Sequence, residues 1–143
     1  LYAERLIQRD RSEAINVYRQ LAEKQPENAI ALNNLAYLEH QEGMLDAAEE
    51  HARQALEIVP QAPEIADTLA QVLIDKGETE DAKAIYDSVM SEQVRSDEIY
   101  LNYVELLLKM DLTPLAKRRL ADRIFDAADS KARVAELEQQ YNL

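Results

Sequence analysis

The chain has 143 residues, 31% charged and 47% hydrophobic, and its 28 acidic against 16 basic side chains leave a formal net charge of −12. Two glycines and four prolines are too few for the many tight turns of a β-sandwich or barrel, so the composition reads as one soluble helical domain. The lack of cysteine excludes disulfides, thiol nucleophiles and thiolate metal sites, and the acidic balance argues against nucleic-acid backbones and anionic lipid as partners.

The polypeptide opens at Leu1 inside a helical pattern, as a piece of a longer protein would. Nothing in it can cross a bilayer: the longest nearly apolar run, residues 103–108, is short and contains Glu105. A spacing of 34 residues then organises the chain. Ala14, Ala48, Ala82 and Ala116 form one column. Others are Tyr18, Ala52, Tyr86 and Leu120; Leu35, Leu69 and Tyr103; Leu38, Val72 and Leu106; Gly43 and Gly77; Pro26 and Pro60.

The period divides the sequence into a partial unit over 1–27, full units over 28–61 and 62–95, a degenerate unit over 96–128 and a closing helix over 129–143. In the second unit, Leu32, Leu35, Ala36 and Leu38 mark one helix, which ends at Gly43 because glycine accepts the left-handed conformation of a helix terminus. Ala48, Ala52, Ala55 and Leu56 mark its partner, which stops at Pro60. The third unit repeats this with Leu69, Ala70, Leu73, Gly77, Ala82, Ile85, Tyr86 and Val89. In the fourth, Tyr103, Val104 and Leu107 precede Thr113–Pro114, an expected N-cap and first helical residue, and Ala116 and Leu120 line the second helix. Ala36 with Ala48, and Ala70 with Ala82, fall where the two helices of a hairpin cross, and alanine lets their axes approach closely. A single hairpin cannot bury its apolar surface, so hairpins must stack. Beyond Phe125 the period is lost, and Val134, Leu137 and Tyr141 give the final helix one apolar side, as expected of a cap.

The unit from Ala29 to Pro60 carries Leu32, Leu35, Ala36, Gly43, Ala48, Ala55 and Pro60 in the pattern of the tetratricopeptide repeat, which the chain resembles over residues 1 to about 125. Departures are Glu39 where tyrosine is preferred, Ala52 where an aromatic is, Val94 for the terminal proline, Asp111 for glycine and Arg123 for alanine. The resemblance implies an all-α, right-handed solenoid of antiparallel hairpins with a C-terminal capping helix. A narrower likeness lies in Ala31–Leu–Asn–Asn–Leu–Ala36 and Asp67–Thr–Leu–Ala70. These are similar to runs in bacterial repeat proteins of exopolysaccharide export, the tetratricopeptide lipoproteins of PEP-CTERM systems in particular, although Ala70–Gln71 stands where those have Gly–Trp. It implies a bacterial periplasmic or cell-envelope setting.

No catalytic constellation emerges. Gly43 and Gly77 are the only glycines, so neither a phosphate-cradling loop nor a Gly-x-Ser-x-Gly elbow is possible. His40 and His51 are too few for a metal site without a third convergent ligand, and read as ordinary polar-face residues. The acidic pairs Glu49–Glu50 and Glu80–Asp81 read as solvated surface, as does the basic cluster of Lys117, Arg118, Arg119 and Arg123. No enzyme activity, cofactor or metal is therefore expected.

The resemblance implies a concave wall made by the first helix of each pair. Its stripe is Ile30, Asn33, Asn34, Tyr37 and Gln41, then Glu64, Asp67, Thr68, Gln71 and Asp75, then Leu101, Asn102, Glu105 and Lys109 with Glu98 before them. Five acids face one base there, so a carboxylate ligand should be repelled and a neutral or basic extended peptide accepted. The amides of Asn33, Asn34, Gln71 and Asn102 suit a peptide backbone, and Tyr37 offers an aromatic platform. The expected function is a non-catalytic protein-interaction scaffold. The alternative is a structural or self-association module in a bacterial envelope, with apolar Leu1, Tyr2, Leu6 and Ile7 as a stacking face and a homo-oligomer as the outcome.

Overall fold

The computed structural model describes residues 2–90 and 94–143, including the side chains of all of these except residues 2–4, 6 and 7. Leu1 thus lies outside the described residues, as do the side chains of Tyr2, Leu6 and Ile7, the rest of that apolar group. Among the described residues there are eight helices and no strand: α1 (Tyr2–Lys24), α2 (Ala29–Gln41), α3 (Leu45–Ile58), α4 (Pro63–Asp75), α5 (Thr79–Val89), α6 (Asp97–Lys109), α7 (Thr113–Ala121) and α8 (Ala128–Gln140).

The turns inside the three hairpins are copies of one another. Gly43 (φ 77°) and Gly77 (φ 82°) end α2 and α4 in the left-handed conformation, and Asp111 (φ 59°) does the same after α6. Each turn closes a pair of hydrogen bonds back onto its helix: Gly43 N to His40 O with Met44 N to Glu39 O, Gly77 N to Ile74 O with Glu78 N to Leu73 O, Asp111 N to Leu108 O with Leu112 N to Leu107 O. These bonds satisfy carbonyls that the helix itself leaves without donors. Aspartate tolerates this region better than most residues, which is how the turn survives the loss of glycine.

Helix starts are set by local chemistry. The Asn28 side chain accepts from Ala31 N and the Ser96 hydroxyl from Ile99 N, capping α2 and α6. At α7 the expected cap shifts by one residue. Leu112 is the N-cap without a side-chain bond, and Thr113 and Pro114 both lie inside the helix, because the glycine-like turn at Asp111 delivers the chain one residue earlier.

The hairpins α2–α3, α4–α5 and α6–α7 stack in series, with α1 against α2 and α8 against α6. Helices α2, α4, α6 and α8 touch one another in one layer, whereas α1, α3, α5 and α7 stand further apart in the other, so the array curves toward the first layer. Ala36, Ala48, Ala70, Ala82 and Ala116 are fully buried where the layers cross. The main core collects Leu69, Leu73, Tyr86, Tyr103, Val104, Leu106, Leu107 and, from α8, Leu137.

Two charged contacts depart from the reading of both histidines as plain surface. Glu39 has no exposed surface, and its Oε1 lies 2.7 Å from His51 Nδ1, so the pair ties α2 to α3 in the interior. The bond to Glu39 raises the His51 pKa above its ordinary value, against the opposing effect of burial. His40 Nε2 meets Asp75 Oδ2, linking the ends of α2 and α4. Between α3 and α4, the Lys76 ammonium lies against Glu49 and 3.0 Å from Asp46. The Lys76 contact holds the Glu49 carboxyl below its usual range.

Candidate partner-binding wall

The layer α2–α4–α6 presents the sequence-expected stripe, and its residues fall into two groups. Tyr37 is 51% exposed and Ile30, Gln41, Glu64, Asp75, Glu98 and Lys109 are also exposed, while Asn34 is half-buried. These form the accessible part. The other group is withdrawn into the structure. Leu101 is 1% exposed and packs in the core rather than lining the wall. Thr68 is 8% exposed, and its hydroxyl donates to Glu64 O one turn back, so it offers no free donor to a ligand.

Asp67, Gln71 and Asn102 are tied together. The Tyr86 hydroxyl of α5 donates to Asp67 Oδ1 and accepts from Gln71 Nε2 at 2.8 Å, and Asn102 Nδ2 donates to the same Asp67 oxygen at 3.0 Å. Burial pushes the Asp67 carboxyl up, and the two bonds it accepts oppose that rise. Burial likewise raises the Tyr86 phenol, so it stays protonated and able to donate. One period earlier the position of Tyr86 is held by Ala52, and Asn33, the counterpart of Asp67, accordingly has a buried Oδ1 without a hydrogen-bond partner among the described residues. The amides of Gln71 and Asn102 therefore brace the wall more than they face a ligand.

The charge of the stripe also changes in three dimensions. Arg133 of α8 comes down onto α6, where Nη2 lies 2.7 Å from Asn102 Oδ1 and 3.0 Å from Glu105 Oε2. Lys109 Nζ lies 3.7 Å from the other Glu105 oxygen. Glu105 thus meets two bases where the sequence reading counted one base for the whole wall. Asp75 is paired with His40 and Asp67 is held by neutral donors, which leaves Glu64 and Glu98 as the stripe carboxylates with neither an ion pair nor a side-chain hydrogen bond among the described residues. Arg133 had no sequence signal, because the 34-residue period is lost before it. Tyr86 was visible as a member of its column, but its hydroxyl partner was not. The arrangement holds and aligns; among the described residues no cluster of acids and histidines converges as metal ligands would.

Stacked antiparallel hairpins with one curved, partly polar layer define an α-solenoid of helical repeats. Tetratricopeptide repeat models match residues 4–63 and residues 39–97, so the chain carries tetratricopeptide repeats over residues 4–97. No curated protein matches it. Among solved structures it is similar to a tetratricopeptide repeat protein from Parabacteroides merdae (20% identity, TM-score 0.74, 95% of this chain and 56% of that one). It is similar also to MamA (16%, TM-score 0.69, 81% and 68%). A third is the first repeat domain of Spaghetti (RPAP3) bound to the HSP90 peptide SRMEEVD (16%, TM-score 0.66, 76% and 89%). At these identities the likeness is one of fold.

Proposed function

We propose that this chain is a non-catalytic protein-interaction scaffold whose inner wall holds an extended neutral or basic peptide segment. The observation that carries the reading is the accessible part of the wall: Tyr37 and Ile30 supply an aromatic and an apolar contact, Asn34 a polar one, and Glu64 and Glu98 unpaired negative charge. The peptide-bound Spaghetti domain supports the use of such an array as a peptide site. Its peptide has three acidic residues in seven, and an equivalent ligand here would meet Glu64 and Glu98 as like charge.

The test uses decapeptides of otherwise identical sequence with central Arg, Gln or Glu residues, titrated by fluorescence anisotropy. The Arg and Gln peptides are expected to bind more tightly than the Glu peptide. Tyr37→Ala should weaken them by roughly tenfold, as loss of an aromatic anchor does, with helicity unchanged. A preference for the Glu peptide would overturn the charge reading, and indifference to Tyr37→Ala would move binding off this wall.

The self-association reading takes its stacking face from the apolar group at residues 1, 2, 6 and 7, and its envelope setting from the likeness of the runs at residues 31–36 and 67–70. Leu32, Leu35, Ala36, Leu69 and Ala70 within those runs are buried packing residues, so most of the likeness resides in hairpin packing, with Asn33, Asn34 and Asp67 as its part on the wall. Sedimentation velocity over a hundredfold concentration range separates the two, since the scaffold reading expects a monomer throughout.

A further inference from the structure

The partner chemistry proposed for the wall is already present once within the chain. Besides its contacts to Asn102 Oδ1 and Glu105 Oε2, the Arg133 guanidinium donates through Nη1 to the carbonyl oxygen of Glu98 at 3.3 Å. Positions 98, 102 and 105 lie on successive turns of the inner face of α6, so three acceptors, one of them ionised, converge on a single planar cation.

We propose that these acceptors form an arginine seat, that Arg133 is its internal occupant, and that α8 gates the end of the wall by competing with an arginine of the partner. The inference rests on the scaffold reading and names a residue type and a control for it. The seat is braced from the side away from α8. Asn102 is held by its bond to Asp67, which is held by the Tyr86 hydroxyl, which is held by Gln71, so Asn102 keeps its place when α8 leaves, and the Glu98 carbonyl is fixed in the backbone of α6. The helix that supplies Arg133 is lightly fastened. It has one buried residue, Leu137, and its N-cap, Ala127, makes no side-chain bond. Besides Arg133 it is tied to α6 by the Ser130 hydroxyl, which donates to Asp97 Oδ2 at 2.8 Å.

Clefts flank α8 on both sides. One of about 430 Å³ opens toward α7 beside Leu120 and Leu143, and one of about 290 Å³ opens toward α6 between Glu98, Asp129 and Arg133. The second lies against the guanidinium with two exposed carboxylates on it, so a basic side chain arriving from solvent reaches the seat through negative surroundings. A tethered competitor lowers the apparent affinity of a partner by the fraction of time it fills the site, and removing it restores the intrinsic affinity.

The experiment titrates N-acetylarginine amide and N-acetyllysine amide into the chain and into Arg133→Ala, following the Asn102 side-chain amide by ¹⁵N NMR. A saturable shift with the arginine probe is expected in Arg133→Ala, with binding roughly fivefold or more weaker in the unmodified chain. The lysine probe should bind less well, lacking the planar fork. Leu137→Ala, which loosens α8 and keeps Arg133, should strengthen binding in the same direction. An Asn102 amide silent in Arg133→Ala, or equally responsive with Arg133 present, overturns the seat. The Arg and Glu decapeptides separate the two readings. An Arg peptide that binds both proteins equally keeps the wall and removes the gate. An arginine probe that fills the seat while neither protein binds the peptide keeps the seat and removes the wall.

Discussion

A left-handed backbone costs an L-residue about 1–2 kcal/mol, and glycine escapes that cost because it has no Cβ. Gly43 and Gly77 have open space where a Cβ would stand, so the conformational term alone decides their substitution. Gly43→Ala should therefore lower stability by about 1 kcal/mol, and Asp111→Gly should raise it by up to about 1 kcal/mol, both measurable by urea denaturation. The Glu39–His51 pair gives a pH signature. Because the native His51 pKa is raised, its stabilising effect is complete below about pH 6.5, the ordinary histidine value. It is then lost as pH rises through the raised native value. Stability should thus fall from about pH 6.5 upward, and Glu39→Gln, which removes the bond that raises the pKa, should abolish or reverse that slope in urea titrations between pH 6 and 9. The sequence flagged Glu39 as an acid at a position where tyrosine is preferred. It did not pair it with His51, because residues twelve apart on two helices meet only when the hairpin closes.

At the scale of elements, the Tyr86–Asp67–Asn102 chain binds α5, α4 and α6 through buried polar atoms. Tyr86→Phe removes a hydroxyl that both donates and accepts, leaving Asp67 with one bond, and should destabilise by about 1–3 kcal/mol with little loss of helix content. The end of α7 is tied separately, since Arg123 reaches Asp97 and the carbonyls of Val94 and Arg95. Burial grades the helices: α4 and α6 carry the most buried residues, and α7 and α8 one each. Hydrogen exchange should accordingly be slowest in α4 and α6 and faster in α7 and α8, since exchange follows local opening. Helix existence and most ends were legible from period, glycine and proline. The placement of α8 on α6 was not, because an apolar side with Val134, Leu137 and Tyr141 states that a helix must dock but not on which neighbour.

For the molecule as a whole, binding of a basic segment to a wall of exposed carboxylates should weaken as salt rises from about 50 to 500 mM, since exposed charges are screened within a Debye length that shortens from over 10 Å to a few ångströms. Affinity of an Arg peptide that does not change over that range would remove Glu64 and Glu98 from the interface. The sequence by itself determined that the chain is a stack of helical hairpins and which residues lie on the packed face, because a 34-residue period repeats the same local geometry and the same burial each time. It also identified the helices whose free faces make the wall. Only the tertiary structure decided how that wall is charged and what it offers, since Leu101 and Thr68 withdraw into the packing, Tyr86 engages the amides, and Arg133 arrives from a helix outside the period. Periodicity encodes contacts that recur, whereas a contact made once between distant residues exists only after the helices have stacked.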